Sequence, residues 1–127
     1  MNDRIIARLG RVPGLVAAYL FGSRARGTAT SSSDVDLAIW LEHAPRSFDD
    51  YPFEVAADLE QELGVRVDLV VLNGAPSDLV HRVLRDGELL VEHNRSARVR
   101  FEVKARSDYF DMLPIRNEYR RRNGARP

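Results

Sequence analysis

The stretch from Leu15 to Leu41 leaves this chain few folds to choose from. An apolar run, Leu15 to Phe21, stops at Gly22-Ser23, and a second, Leu37 to Leu41, follows directly on Asp34-Val35-Asp36. Runs of this length bounded by glycine and polar residues read as buried strands. Gly22 and Gly27 bracket a short basic turn, and glycine lets backbone come close to a ligand. Successive side chains of a strand alternate faces, so Asp34 and Asp36 point to the same side. Two like charges on one stiff element repel unless a cation lies between them, which makes the pair a candidate divalent-metal site. The turn adds backbone N–H groups, the Ser23 hydroxyl, and the charges of Arg24 and Arg26. Beside a carboxylate-held metal, that is equipment for a nucleoside triphosphate whose phosphates bridge the ion.

A third carboxylate lies further on. Val65 to Leu72 is largely β-branched and reads as a strand, with Arg66, Asp68, Val70 and Leu72 on one face and Val65, Val67, Leu69 and Val71 on the other. An aspartate at its centre has no packing purpose, and buried alone it would cost several kcal/mol. On the strand by itself, Asp68 either pairs with Arg66 or another arginine on an exposed sheet face, or joins Asp34 and Asp36.

Gly22-Ser23 followed by Asp34-Val35-Asp36 resembles the signature of the DNA polymerase β-type nucleotidyltransferases, glycine-serine and then Asp-x-Asp. The fuller pattern, Gly-Ser-Arg-Ala-Arg-Gly with Ser33-Asp34-Val35-Asp36-Leu37, is most similar to the minimal nucleotidyltransferase (MNT) subfamily. Those are the antitoxins of HEPN/MNT (type VII) toxin–antitoxin systems. The resemblance covers about Leu15 to Leu72 well and the remainder loosely. It implies a nucleotidyltransferase fold in which Asp34, Asp36 and Asp68 are catalytic and hold one or two Mg2+ ions. Gly22 and Ser23 seat the triphosphate, and Arg24 and Arg26 neutralise the leaving pyrophosphate. ATP as substrate, and a tyrosine of a HEPN ribonuclease toxin as the acceptor silenced by AMP, are implied by the resemblance alone.

The 127 residues have room for one domain with one modest core. No run approaches the roughly 20 apolar residues of a membrane span, the first residues lack a signal-peptide pattern, and cysteine is absent, so a cytoplasmic protein is the expectation. Net charge is zero but uneven. Residues 1–93 hold 9 Lys/Arg against 15 Asp/Glu, a net of −6, and residues 94–127 hold 10 against 4, a net of +6. A basic tail beside an acidic body points to an acidic partner, a nucleic acid, or the chain's own acidic face. Zero net charge, and a single cluster at Arg120-Arg121-Arg122 without interleaved aromatics, argue against direct nucleic-acid binding.

Helical spacing recurs at three further places. Asn2 or Asp3 is positioned to cap a helix ending near Leu9; Phe53, Val55, Ala56, Leu59 and Leu63 line another; Ser77 is placed to cap a third, with Leu79, Val80, Val83 and Leu84 as its stripe. Glu88 to Glu92 is short enough for an edge strand. From Ser96 to about Arg122 the chain reads as a long helix kinked or broken at Pro114, with Val99, Val103, Phe110 and Leu113 as its apolar stripe. His43, His81 and His93 are scattered as surface residues, and Trp40 belongs to the core. The sum is an α/β (α+β) domain, a small mixed β-sheet flanked by helices, with a long C-terminal helical segment. Residues 1–94 form the catalytic part and residues 95–127 a partner-binding segment, because Tyr109, Phe110, Met112, Leu113, Ile115 and Tyr119 exceed what a small core needs.

A domain this small lacks the surfaces that larger relatives use to hold an acceptor, and so borrows one from a protein partner. The reading is an Mg2+-dependent protein adenylyltransferase that neutralises a HEPN toxin. Two rivals stand beside it. A binding-only antitoxin fits the apolar tail but leaves the residue set from Gly22 to Asp68 unexplained, and a small-molecule, aminoglycoside-type nucleotidyltransferase requires a homodimeric acceptor pocket.

Overall fold

The computed structural model describes residues 1–122, with side chains described as far as Leu113. Helix α1 (Asn2–Leu9) leads into β1 (Leu15–Phe21), the single-turn helix α2 (Ser23–Arg26) and β2 (Val35–Leu41). A 3-10 turn at Phe48–Asp50 precedes α3 (Phe53–Leu63), β3 (Val67–Val71), α4 (Ser77–Asp86), β4 (Glu88–Glu92) and α5 (Arg95–Arg122). The four strands form one sheet in the order β3-β2-β1-β4. β1 runs antiparallel to β2 and β4, while β2 and β3 are parallel, so the sheet is mixed and the fold α+β.

Alternation along the strands divides the core in two. On one face Leu37, Ile39 and Leu41 of β2, with Val67 and Val71 of β3, pack under Ile5 and Leu9 of α1 and Val55 and Leu59 of α3. On the other, Ala38 and Trp40 of β2 and Tyr19 of β1 pack under Val80 and Val83 of α4 and Ala97 of α5. Each fully buried aliphatic side chain contributes about 1.5–3 kcal/mol. The alternation expected for the third strand holds: Val65, Val67 and Leu69 join the first cluster, Val70 and Leu72 the second. Asp36 and Asp68 fall on the face covered by α4 and α5.

Two expected caps shift. α1 begins after Met1, so Asn2 and Asp3 are already helical, and α4 is entered from Pro76, with Ser77 its first residue and no side-chain cap bond at either. Asp3 and Asp78 then sit in first turns, where the helix dipole favours negative charge.

The packing face of α5 differs from the expected stripe. Ala97, Phe101 and Ala105 face the sheet, with the Phe101 ring 5.1 Å from Trp40. Val99, Val103 and Phe110 point outward, 42%, 60% and 57% exposed. Small residues let the helix settle close to β1 and α4, whereas the bulkier row has no space beneath it. α5 continues as one helix past Pro114 to Arg122. Ile115, Tyr119 and the run Arg120 to Arg122 lie outside the described side chains.

Ionic contacts fix α5 in place. The Tyr19 hydroxyl donates to Glu102, and Arg98 donates to both Glu92 on β4 and Glu102. Part of the basic tail therefore meets the chain's own acidic body. Burial alone would raise the Glu102 pKa, but the Tyr19 and Arg98 bonds and the Arg106 charge outweigh it and hold the carboxyl below its ordinary range. A lowered folded-state pKa contributes stability that is present above the unfolded value and lost as pH falls through the folded one. Glu102→Gln is expected to cost about 1–3 kcal/mol at neutral pH. In urea denaturation at stepped pH, that gap should close as pH drops below the ordinary carboxyl value of 4.5; a constant gap down to acid would remove the charge-assisted role.

Candidate functional site

The register of the sheet assembles the site. Phe21 of β1 lies opposite Asp36 of β2, which lies beside Asp68 of β3. Gly22 follows Phe21 with φ 72°, a left-handed conformation that glycine adopts without strain. A Cβ built on Gly22 would stand 2.1 Å from Asp36 Oδ2, so the close approach of turn and carboxylate requires the missing side chain. Asp36 is half-buried. Burial first, then the charges of Asp68 and Asp34 and a hydrogen bond with Asp68, raise its pKa above the ordinary value, while Arg26 pulls it down.

Asp34 lies one residue before β2 and is exposed, within electrostatic reach of Asp36. Its backbone is held from both sides. Arg24 Nη2 donates to the carbonyl oxygens of Ser33, at 2.6 Å, and Ser31, at 3.4 Å. On the other side Val35 N–H donates to the Arg66 carbonyl. Arg24, expected among the phosphate ligands, thus braces the 28–33 loop that delivers Asp34. Asp68 satisfies both sequence readings in part: it neighbours Asp36 across the strands and also pairs with Arg66 Nε at 3.4 Å. Arg66 is largely exposed and Asp68 half-buried, so that pair is weak and readily exchanged for another cation.

A cleft of about 240 Å3 opens here, lined by Phe21, Gly22, Arg26, Asp36, Arg82 and Asp86. It gathers Gly22, Arg26 and Asp36 from the expected set, with Ser23 at the start of α2 beside it. Asp34, Asp68 and Arg24 stand outside the lining. Arg82 and Asp86 on α4 were not legible in the sequence, where they read as the polar side of an amphipathic helix; their spacing of four residues, which puts them on one helix face, is the only local signal.

Among the described residues no group of three or more carboxylate, imidazole or thiolate side chains forms a ready-closed metal shell. The Asp36–Asp68 pair with Asp34 nearby is still an all-oxygen donor set of the type hard divalent cations prefer, and its mutual repulsion is what such an ion relieves. The Trp40 and Phe101 rings pack tilted against each other, the His81 ring of α4 stacks parallel on that of Tyr109 of α5 at 3.8 Å, and His43 and His93 are exposed. No helix among the described residues is long and apolar enough to cross a membrane.

Residues 3–96 match the family model described as polymerase beta, nucleotidyltransferase. The chain is similar to the protein adenylyltransferase MntA of Shewanella oneidensis, 36% identical over 96 residues, or 71% of this chain. That stretch spans 65% of the relative, less than two thirds of its length. A chain of a toxin–antitoxin crystallised with AMP-PNP superposes with a TM-score of 0.83 at 30% identity, covering 98% of each chain. A chain of the complex of tri-AMPylated Shewanella oneidensis HEPN toxin with MNT antitoxin gives 0.77 at 27% identity, covering 98% of this chain and 96% of that one.

Gly22→Ala should lower stability by about 1–3 kcal/mol, the strain of a positive φ added to the clash with Asp36. The double variant with Asp36→Ala should recover the clash component. Thermal melts of the four-member cycle test this, and strict additivity of the two changes would refute the close approach.

Proposed function

The chain belongs to the polymerase beta nucleotidyltransferase family, and from that membership we propose that it is a minimal nucleotidyltransferase antitoxin, an Mg2+-dependent protein adenylyltransferase. It transfers AMP from ATP to a tyrosine of a cognate HEPN toxin. The observation that carries this reading is the in-register pair Asp36–Asp68, with Gly22 pressed against Asp36 at the mouth of a cleft.

Asp34, Asp36 and Asp68 are the residues that hold Mg2+, which when bound supplies Lewis-acid stabilisation to the oxygens entering and leaving phosphorus. Gly22 and Ser23 seat the phosphates through backbone N–H groups and the hydroxyl, and Arg26 on the cleft wall offsets their charge. The acceptor tyrosine approaches on the α4–α5 side of the sheet, the face that carries Asp36 and Asp68. Its oxygen forms a bond to the α-phosphorus as the bond to pyrophosphate breaks, and its proton passes to Asp68. Arg24 acts on Asp34 through the Ser33 carbonyl, as a positioning residue.

The 95–127 segment is the partner-binding element in this reading. α5 lies over the same face as the carboxylates and turns Val99, Val103 and Phe110 outward, so a toxin docked along it is delivered beside the cleft. The matches to chains of toxin–antitoxin structures support such a partner.

Intact-mass spectrometry of the cognate HEPN protein after incubation with this chain, Mg2+ and ATP should show a gain of one or more AMP units. Asp34→Asn with Asp36→Asn should keep the fold by circular dichroism and slow transfer at least a hundredfold, by about the scale of lost transition-state electrostatics. No mass gain with a stable complex would favour the binding-only antitoxin; no gain and no complex would favour a small-molecule acceptor. Val103→Asp should weaken the complex about tenfold or more, by desolvation of a charge in the interface, with transfer falling in step as read by titration of the labelled toxin.

A further inference from the structure

We propose that Arg82 on α4 is a second phosphate-binding residue of this cleft, closing with Arg26 on the β- and γ-phosphates that depart as pyrophosphate. The inference rests on the nucleotidyl-transfer reading above and extends it to an element outside the recognisable motif. Arg82 and Arg26 come from separate helices and line the same cleft as Gly22 and Asp36.

The charges of the cleft leave these two guanidinium groups without a directly paired carboxylate among the described residues, Arg26 acting on Asp36 and Asp86 through its field alone. Of its two carboxylates, Asp86 is taken by Arg85, which donates Nε to Oδ1 at 2.9 Å and Nη2 to Oδ2 at 2.8 Å. Asp36 faces the proposed cation. Among the described residues neither Arg82 nor Arg26 forms an ion pair. Two arginines not held in ion pairs, beside a close-approach glycine, form a site for a multiply charged anion, and a di- or triphosphate tail has the charge and oxygen geometry that their forks match.

The placement of Arg82 is built into the fold. α4 ends at Gly87, where a Cβ would stand 2.4 Å from the Val83 carbonyl oxygen and 3.2 Å from that of Leu20. Glycine there lets the end of the helix rest against β1, next to Phe21 and Gly22. Val80 and Val83 on the buried side hold the helix on the sheet, so the Arg82–Asp86 face is turned toward the cleft.

Calorimetric titration of ATP and of AMP, each with Mg2+, into the full chain and its Arg82→Ala and Arg82→Lys variants tests the proposal. Arg82→Ala should weaken ATP binding about tenfold or more, the scale of one charge-assisted contact, and leave AMP binding and melting temperature unchanged. Arg82→Lys should recover part of the ATP affinity. Unchanged ATP affinity in Arg82→Ala, or equal losses for ATP and AMP, would overturn the proposal while wild-type transfer to the toxin still stood. A wild-type chain that binds neither nucleotide would overturn the underlying reading and this proposal together.

Discussion

Repulsion between two carboxylates held side by side sets the terms for the rest of this structure. Asp36 and Asp68 are paired in register on adjacent parallel strands, and hydrogen bonding inside the sheet keeps them from separating. A sheet tolerates like charges in that position only with a compensating cation or at a cost in stability. Around the pair, the chain supplies weak and replaceable compensation: Arg66 beside Asp68 and the field of Arg26 at Asp36. The site is thus electrostatically strained in a way that favours a charged ligand, while the strain is supported by a well-packed sheet.

That support is asymmetric. One face of the sheet is sealed by α1 and α3 over a continuous aliphatic cluster, on the side away from Asp36 and Asp68. The opposite face carries the carboxylates, the cleft and α5. The Tyr19–Glu102–Arg98–Glu92 network binds α5 to two strands at once, so the helix proposed to meet the toxin is coupled rigidly to the sheet that holds the carboxylates.

The strands and the carboxylates were legible in the sequence because their signals are local. Apolar runs of fixed length, glycine at their ends and alternation of faces need no knowledge of the rest of the chain, and β1, β2 and the faces of β3 followed them. What escaped depends on how elements meet. The outer row of α5 is more apolar than its inner row, so hydrophobicity favoured Val99, Val103 and Phe110, while the available space selected Ala97 and Ala105. Arg24 looked like a phosphate ligand by proximity to the motif, but the turn of α2 aims it at the Ser31 and Ser33 carbonyls. Arg82 and Asp86 became visible only once α4 was placed against β1.

The pleat that presents Asp36 also limits how such a chain can change in length. Neighbouring positions on β2 alternate between the sealed face and the reactive one, so inserting or deleting a single residue within Val35–Leu41 would drive a carboxylate into the aliphatic layer and expose a leucine in its place. Insertions are tolerable where that alternation is not being counted and no brace on Asp34 is disturbed, in the connection at 42–47. Length variation among homologous chains should therefore collect in that connection, leaving β2 and the position of Asp36 along it fixed.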